Sequence, residues 1–217
     1  MDRCVIVGAS AADDAGYLRS HITDTDYIIC ADGGFDTLRS QGLTPHAVIG
    51  DGDSSASLRE CMDADLLGGV TVVSMPREKD HTDVNAAVDY ALGFGYKNFL
   101  FLCCTGNRFD HTMANVFMLE RLAQNGASGA IADEKNYIQL HAGGSKKFPM
   151  KPDYKYFSVI AIDPVISGVT LKGLKYPLNN AHLYRNEPIG VSNEFIGDEA
   201  AVEIEHGRAL IIYSRDS

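Results

Sequence analysis

Residues 82–103 read TDVNAAVDYALGFGYKNFLFLC, and the change of period inside that stretch decides the fold. Val84, Ala87, Val88, Ala91 and Leu92 recur at i, i+3, i+4, i+7 and i+8. That spacing predicts a helix over Thr82–Leu92, with Thr82 as its N-cap and Gly93 as its stop. Phe99–Cys103 is apolar at every position, as in a strand covered on both faces. The same kind of run recurs upstream at Cys4–Val7, Tyr27–Ala31, Ala47–Ile49 and Val70–Ser74, each bounded by Gly, Asp or Pro. A second helix is expected over His111–Leu122, before the Asn125–Gly126 turn signal. Strands alternating with helices predict an α/β, doubly wound parallel-sheet N-terminal domain.

The period changes after about residue 134. Tyr154–Ile162, Val169–Lys172, Ala201–Glu205 and Ala209–Tyr213 alternate apolar with polar residues, and Gly, Pro and Asn punctuate them. Period two without a helical stripe predicts a smaller all-β sandwich domain. The expected division is therefore 1–134, α/β, and 135–217, all-β, with no flexible linker or internal repeat.

Composition narrows the function. The chain has 217 residues, 45% hydrophobic and 22% charged, which excludes wholesale disorder. Its formal charge is −10, so nucleic acid and anionic membrane surfaces are not expected partners. A phosphorylated substrate remains compatible where divalent cations or a few basic residues mediate. No apolar run is long enough to span a bilayer, and the first residues lack a secretory h-region. The five cysteines, Cys4, Cys30, Cys61, Cys103 and Cys104, are odd in number and without CxxC spacing. They read as buried reduced thiols, and the chain as a soluble cytoplasmic protein.

Aspartates cluster where the strands are expected to end. Ala31-Asp-Gly-Gly34, Gly50-Asp-Gly-Asp-Ser-Ser55, Lys79-Asp-His-Thr-Asp83 and Thr105-Gly-Asn-Arg-Phe-Asp-His111 all follow predicted strands. In a doubly wound sheet the ligand crevice lies outside the carboxyl ends of the strands, so these loops converge on one edge. Asp51 and Asp53, two apart in an extended loop, project the same way and suit a hard cation such as Mg²⁺; Asp83 adds a third carboxylate. Taken singly, each aspartate also suits a turn or cap role. Lys79, Arg77 and Arg108 bring positive charge to the same loops; Arg77 also fits a plain surface position, and Arg108 a salt bridge to Asp110. His81 and His111 read as loop-orienting residues, because an oxygen-rich site does not favour imidazole. There is neither a GxxxxGK[ST] loop nor a GxGxxG fingerprint.

In order and spacing, Ala31–Gly34, Gly50–Ser54, Lys79–Asp83 and Gly106-Asn-Arg-Phe-Asp-His-Thr-Met-Ala-Asn115 resemble the thiamine pyrophosphokinases. Gly173-Leu-Lys-Tyr-Pro-Leu178 and Gly190-Val-Ser-Asn193 are similar to that family's thiamine-binding β domain. The resemblance covers nearly the whole chain. It implies transfer of a diphosphoryl group from ATP to the hydroxyl of thiamine, giving thiamine diphosphate and AMP. It also implies a homodimer with the active site at the subunit interface. By position, it gives Asp51, Asp53 and Asp83 as Mg²⁺-binding catalytic carboxylates beside Thr82. Asp32 and Gly33 fall on the nucleotide side, Lys79 and Arg108 become phosphate contacts, and Asp110 becomes a catalytic carboxylate next to Arg108 or the substrate. Ser192 and Asn193 would bind the thiamine pyrimidine. Either Asp51 or Asp83 takes the hydroxyl proton. Trp is absent, so a ring stacked on thiamine would be Tyr, Phe or His, with Tyr184 and Phe195 in the right stretch. Gly52 and the Cys103–Cys104 pair depart from the family's pattern. Two other classes fit the same residues: a metal-dependent nucleotide phosphohydrolase, and a non-catalytic thiamine-binding protein.

Overall fold

The structure, a computed structural model, describes residues 3–10, 16–31, 33–50, 55–63, 68–75, 81–106 and 108–216. The chain divides into two compact units, Met1–Glu134 and Lys135–Ser217.

In the first unit the strands are β1 (Cys4–Val7), β2 (Tyr27–Ala31), β3 (Ala47–Gly50), β4 (Thr71–Ser74), β5 (Asn98–Leu102) and β6 (Ser128–Ala132). They lie in the order β4-β3-β2-β1-β5-β6, every neighbouring pair parallel. Between them run α1 (Tyr17–His21), α2 (Gly34–Ser40), α3 (Ala56–Asp63), α4 (Asp83–Gly93) and α5 (Phe109–Gln124). The chain winds outward from β1 to β4, crosses back through α4 to β5, and continues to β6. Right-handed crossovers then put α1–α3 on one face and α4 and α5 on the other. In keeping with this, α2 packs on β1 and β2, α4 spans β1, β2 and β3, and α5 covers β6.

The central strands are as apolar as their positions require: Val5, Ile6, Val7, Ile29, Val48, Ile49, Phe99 and Phe101 are buried. β4 is the exception among the expected strands, for none of its four residues is buried. It is the edge strand, so one side has no partner to cover it. The second predicted helix is longer than expected, because Phe109 and Asp110 already belong to it before His111. Cys103, expected to close β5, instead leaves the strand with φ +54.

The second unit holds β7 (Asn136–His141), β8 (Gly144–Pro149), β9 (Tyr156–Ala161), β10 (Val165–Lys172), β11 (Leu178–Tyr184), β12 (Glu199–Ile204) and β13 (Ala209–Ser214). β7-β13-β9 form one antiparallel layer and β11-β10-β12-β8 the other. Alternate residues of both layers meet in one core, which includes Phe148, Phe157, Val159, Val169, Val202, Ile211 and Tyr213. Phe157 stands edge-on to Tyr213 at 5.1 Å, and the Tyr213 hydroxyl donates to the Pro149 carbonyl at 2.9 Å. The fold is thus a doubly wound α/β unit followed by a β-sandwich.

Candidate active site

The strand order of the first unit reverses between β1 and β5, so the crevice opens where those two strands end. The two loops there are stitched together: the Gly8 N–H donates to the Leu102 carbonyl at 2.9 Å, and the Ser10 N–H to the Cys103 carbonyl at 3.1 Å. The start of α2 closes on the same place. A Cβ at Gly34 would lie 2.2 Å from the Val7 carbonyl oxygen, so only glycine lets the helix approach β1 this closely.

The loop leaving β5 is held from three sides. The buried Asn115 side chain donates to the Cys104 carbonyl at 2.7 Å, the Thr112 hydroxyl accepts the Gly106 N–H at 3.2 Å, and Thr105 donates to Asp133 at 2.8 Å. At the head of this loop Cys103 lies in the left-handed region, a conformation costly for a residue with a Cβ. Both adjacent thiols are buried. Burial pushes Cys103 up to about 11 and Cys104 up to about 12, so neither is a thiolate at neutral pH. All five cysteines are buried and none is in a disulfide.

Two helices begin on this edge. Thr82 caps α4 through its hydroxyl, which accepts the Asn85 N–H at 3.2 Å. Asp83 follows in the first turn, half-buried, where the positive end of the helix favours a carboxylate. Arg108 occupies the N-cap position of α5 and forks onto Asp110, with Nε at 3.3 Å and Nη2 at 2.6 Å from its two oxygens. Their hydrogen bond holds the Asp110 carboxyl below the usual carboxylate range and raises Arg108. Both side chains are more than half exposed.

The structure therefore brings Gly33, Thr82, Asp83, Arg108 and Asp110 to one edge of the first unit, at the starts of α2, α4 and α5. Asp32, Asp51, Asp53 and Lys79, like Arg77 and Gly52, lie outside the described residues. Ala31 and Gly50 close β2 and β3, so the chain enters those segments from the same sheet edge. Among the described residues no three His, Cys, Asp or Glu side chains gather to hold a metal; Asp83 is one oxygen donor of the expected three. Asn115 and Thr112 were not singled out by sequence reasoning. Their signal is their spacing of three on the helix that follows the loop, which puts both on one face.

In the second unit, Ser192 is exposed and carries φ +59. Asn193 is buried, and its amide is engaged with the backbone of Tyr176. Phe195 is partly buried against the core, stacked on Tyr213 at 5.9 Å and edge-on to Phe157 at 5.0 Å. Tyr184 is exposed at the end of β11, and so is Tyr176, which lies inside the quoted Gly173–Leu178 motif but was not singled out.

The chain is matched in two parts. A family model described as the thiamin pyrophosphokinase catalytic domain matches residues 18–130, and one described as the thiamin pyrophosphokinase vitamin B1 binding domain matches residues 146–211. The chain is 29% identical over 188 residues to the thiamine pyrophosphokinase of Bacillus subtilis, covering 87% of each. The crystal structure of that enzyme superposes with a TM-score of 0.90 at 26% identity, over 100% of both chains. The thiamin pyrophosphokinase of Geobacillus thermodenitrificans gives 0.88 at 28% identity, over 100% of this chain and 99% of that one.

Proposed function

This chain belongs to the thiamin pyrophosphokinase family, whose activity is diphosphoryl transfer from ATP to thiamine, and from that membership we propose a division of labour. The unit Met1–Glu134 holds ATP, and Lys135–Ser217 holds thiamine. The thiamine hydroxyl oxygen bonds to the β-phosphorus, and the bond from that phosphorus to the α–β bridging oxygen breaks. AMP leaves with the electron pair. The hydroxyl proton passes to a carboxylate, Asp51 or Asp83.

Such a transfer asks the protein chiefly to align the two oxygens and to neutralise charge on the phosphoryl groups. Asp51, Asp53 and Asp83, an oxygen-only set beside Thr82, suit magnesium, which when bound neutralises the polyphosphate and orders its oxygens. Lys79 meets the phosphates as a point charge, and Arg108 meets them with the planar fork it now turns on Asp110. Asp32 and Gly33 flank the nucleotide at the start of α2, and Asp110 orients Arg108 until phosphate replaces it. Ser192 offers its exposed hydroxyl to the thiamine pyrimidine.

The observation that carries this reading is the shared edge of Asp83 and Arg108, each opening a helix on the side of the first unit where the parallel strands end, in a chain matched by both family models. Two copies of the chain associate with thiamine held between subunits; the exposed Ile189, Val191 and Ile196 around Ser192 support an apolar seam there. No described helix is long and apolar enough to cross a membrane, and five buried cysteines outside any disulfide suit the reducing cytoplasm.

The test is AMP release from ATP and Mg²⁺ with and without thiamine, alongside chromatography for thiamine diphosphate. Equal amounts of both products, only when both substrates are present, are expected. Thiamine-independent ATP breakdown would indicate a phosphohydrolase, and thiamine binding without turnover a binding protein. Light scattering that finds an active monomer would overturn the dimer.

A further inference from the structure

Asn193 sits at the junction of two turns in the β-sandwich and spends both of its polar side-chain atoms on backbone. Its Oδ1 accepts the Tyr176 N–H at 2.9 Å and the Glu194 N–H at 3.0 Å, while its Nδ2 donates to the Tyr176 carbonyl at 2.7 Å. The amide thus stands in for a peptide unit and pairs with Tyr176 as two facing residues of an antiparallel ladder would. Two true rungs continue that ladder: the Lys175 N–H donates to the Glu194 carbonyl at 2.9 Å, and the Ile196 N–H to the Gly173 carbonyl at 3.1 Å.

The main chain of Asn193 is used on its other side. Its N–H donates to the Phe157 carbonyl at 3.1 Å, and its carbonyl accepts the Phe157 N–H at 2.8 Å. The preceding residues run along β9 in the same way. Val159 donates to the Gly190 carbonyl at 2.9 Å, and the Ser192 N–H donates to the buried Ser158 hydroxyl at 3.0 Å. A Cβ at Gly190 would meet the Val159 carbonyl oxygen at 2.3 Å, so the segment lies close against the strand. Held at both ends, Ser192 adopts φ +59, which a free loop would relax. Asn193 itself is 4% exposed, whereas its neighbour Ser192 and its partner Tyr176, at 59%, face solvent.

A buried amide with both polar atoms committed is poorly placed to serve a ligand, since turning toward one would strip the Tyr176 backbone of its partners. We propose that Asn193 is a positioning residue for thiamine: it touches no substrate, but locks the Gly173–Tyr176 and Gly190–Asn193 segments into one rim that presents the Ser192 hydroxyl and the Tyr176 ring together. This rests on the reading of the second unit as the thiamine-binding one. A rim set before the ligand arrives spares the ordering that binding would otherwise require, so its loss falls on thiamine affinity and leaves the ATP side untouched.

Full-length Asn193→Ala and Asn193→Asp test it, by steady-state kinetics with each substrate varied in turn, thermal melting, and amide hydrogen exchange at Tyr176. Asn193→Ala is expected to raise KM for thiamine by about tenfold or more, with kcat and KM for ATP changed by less than about threefold, and to unprotect the Tyr176 amide. Asn193→Asp keeps both accepted bonds but sets a carboxylate oxygen against the Tyr176 carbonyl where Nδ2 donated, so its KM for thiamine should rise as well. It supplies the same readouts should the alanine variant not fold. A lowered melting temperature with KM for thiamine unchanged would overturn the proposal, leaving a structural staple. So would a fall in kcat at saturating substrates with both KM values unaltered, since that would put Asn193 in the chemistry. A wild-type chain that neither binds nor turns over thiamine overturns the functional reading along with this one; wild-type turnover with unchanged variant kinetics overturns this one alone.

Discussion

Gly34→Ala is the substitution that asks most directly whether the approach of α2 to β1 builds the nucleotide edge. The added Cβ would sit 2.2 Å from the Val7 carbonyl oxygen, 2.9 Å from the Val7 carbonyl carbon and 3.0 Å from the Gly8 oxygen, against an ordinary contact of 3.4 Å or more. All three are backbone atoms of β1 and its exit, so no rotamer change relieves the clash. The helix start must retreat by about 1 Å. Overpacking of this kind costs about 1–3 kcal/mol. In a unit of this size that corresponds to a fall in melting temperature of roughly 5–15 °C. A displacement of about 1 Å in a positioning element is worth about 100-fold in rate, so kcat/KM for ATP should fall by that order. Calorimetry and initial-rate kinetics read the two effects. Gly93→Ala is the matched control, for nothing lies within 4 Å of its Cβ, and in the last turn of α4 it should stabilise by up to about 1 kcal/mol. A Gly34→Ala protein melting within about 1 °C of wild type, with kcat/KM within about threefold, would refute the argument.

Other expectations follow from single contacts. Asp83→Asn should lower turnover by orders of magnitude with circular dichroism unchanged, and near-wild-type turnover would remove Asp83 from the site. Burial opposes the charge on Asp26, but Arg3 at 2.7 Å and the Thr23 N–H at 2.7 Å outweigh it and hold its carboxyl below the usual range. Its stabilisation is therefore present above the unfolded value near 3.8 and is lost as pH falls toward the folded one. Asp26→Asn should cost about 2 kcal/mol at pH 7, with the melting curves of the two proteins converging below about pH 4. The native protein should react slowly with an aromatic disulfide reagent at pH 8 and release five thiols only on denaturation, since Cys4 and Cys104 are pushed up to about 12 and Cys103 to about 11; one fast thiol per native chain would contradict this. Asp110→Asn, which frees Arg108 from a competing anion, should lower KM for ATP by at most a few-fold and spare kcat, and a large loss of kcat would give Asp110 a direct part in the reaction.

The helix over Thr82–Leu92 was legible because periodicity and capping agree there: the stripe fixes the buried face, and a threonine before Asp83 closes the first turn. The β-sandwich was legible as a class from its period of two. α1 and α2 were not, because at five and seven residues they are too short for a stripe to emerge. β8 was not, because only Phe148 of its six residues is buried. The expected edge of aspartates followed from chain position relative to strand ends, and Thr82, Asp83, Arg108 and Asp110 stand on it. What could not be read is where hydrogen bonds go. Asn115 looks like an ordinary polar residue in a motif and Asn193 was expected at the thiamine pyrimidine, and only the folded chain assigns the first to the Cys104 carbonyl and the second to Tyr176. Phe195 is a further case, since its place in the chain suggested a ligand ring, and only the fold shows it packed, partly buried, against Phe157 and Tyr213.

The two units meet opposite demands, and each answers with a different use of charge. ATP is a polyanion, yet the chain is acidic overall, so its phosphates must be met locally. On the proposed reading Arg108 meets them: it and Asp110 are both largely exposed and screened, so an anion that outcompetes one carboxylate would take over the guanidinium at little cost. A buried pair would not exchange so readily, because parting it strands a desolvated charge, as at Arg3–Asp26, where the Asp26 side chain is 2% exposed. The sandwich faces a cation, for which an acidic protein needs no special attraction, and its task is shape. It meets that task with backbone: a left-handed serine and a tyrosine are held out to solvent by an amide that has no other use. Exchangeable charge on one unit and fixed geometry on the other are what a reaction between a polyphosphate and a flat cation requires.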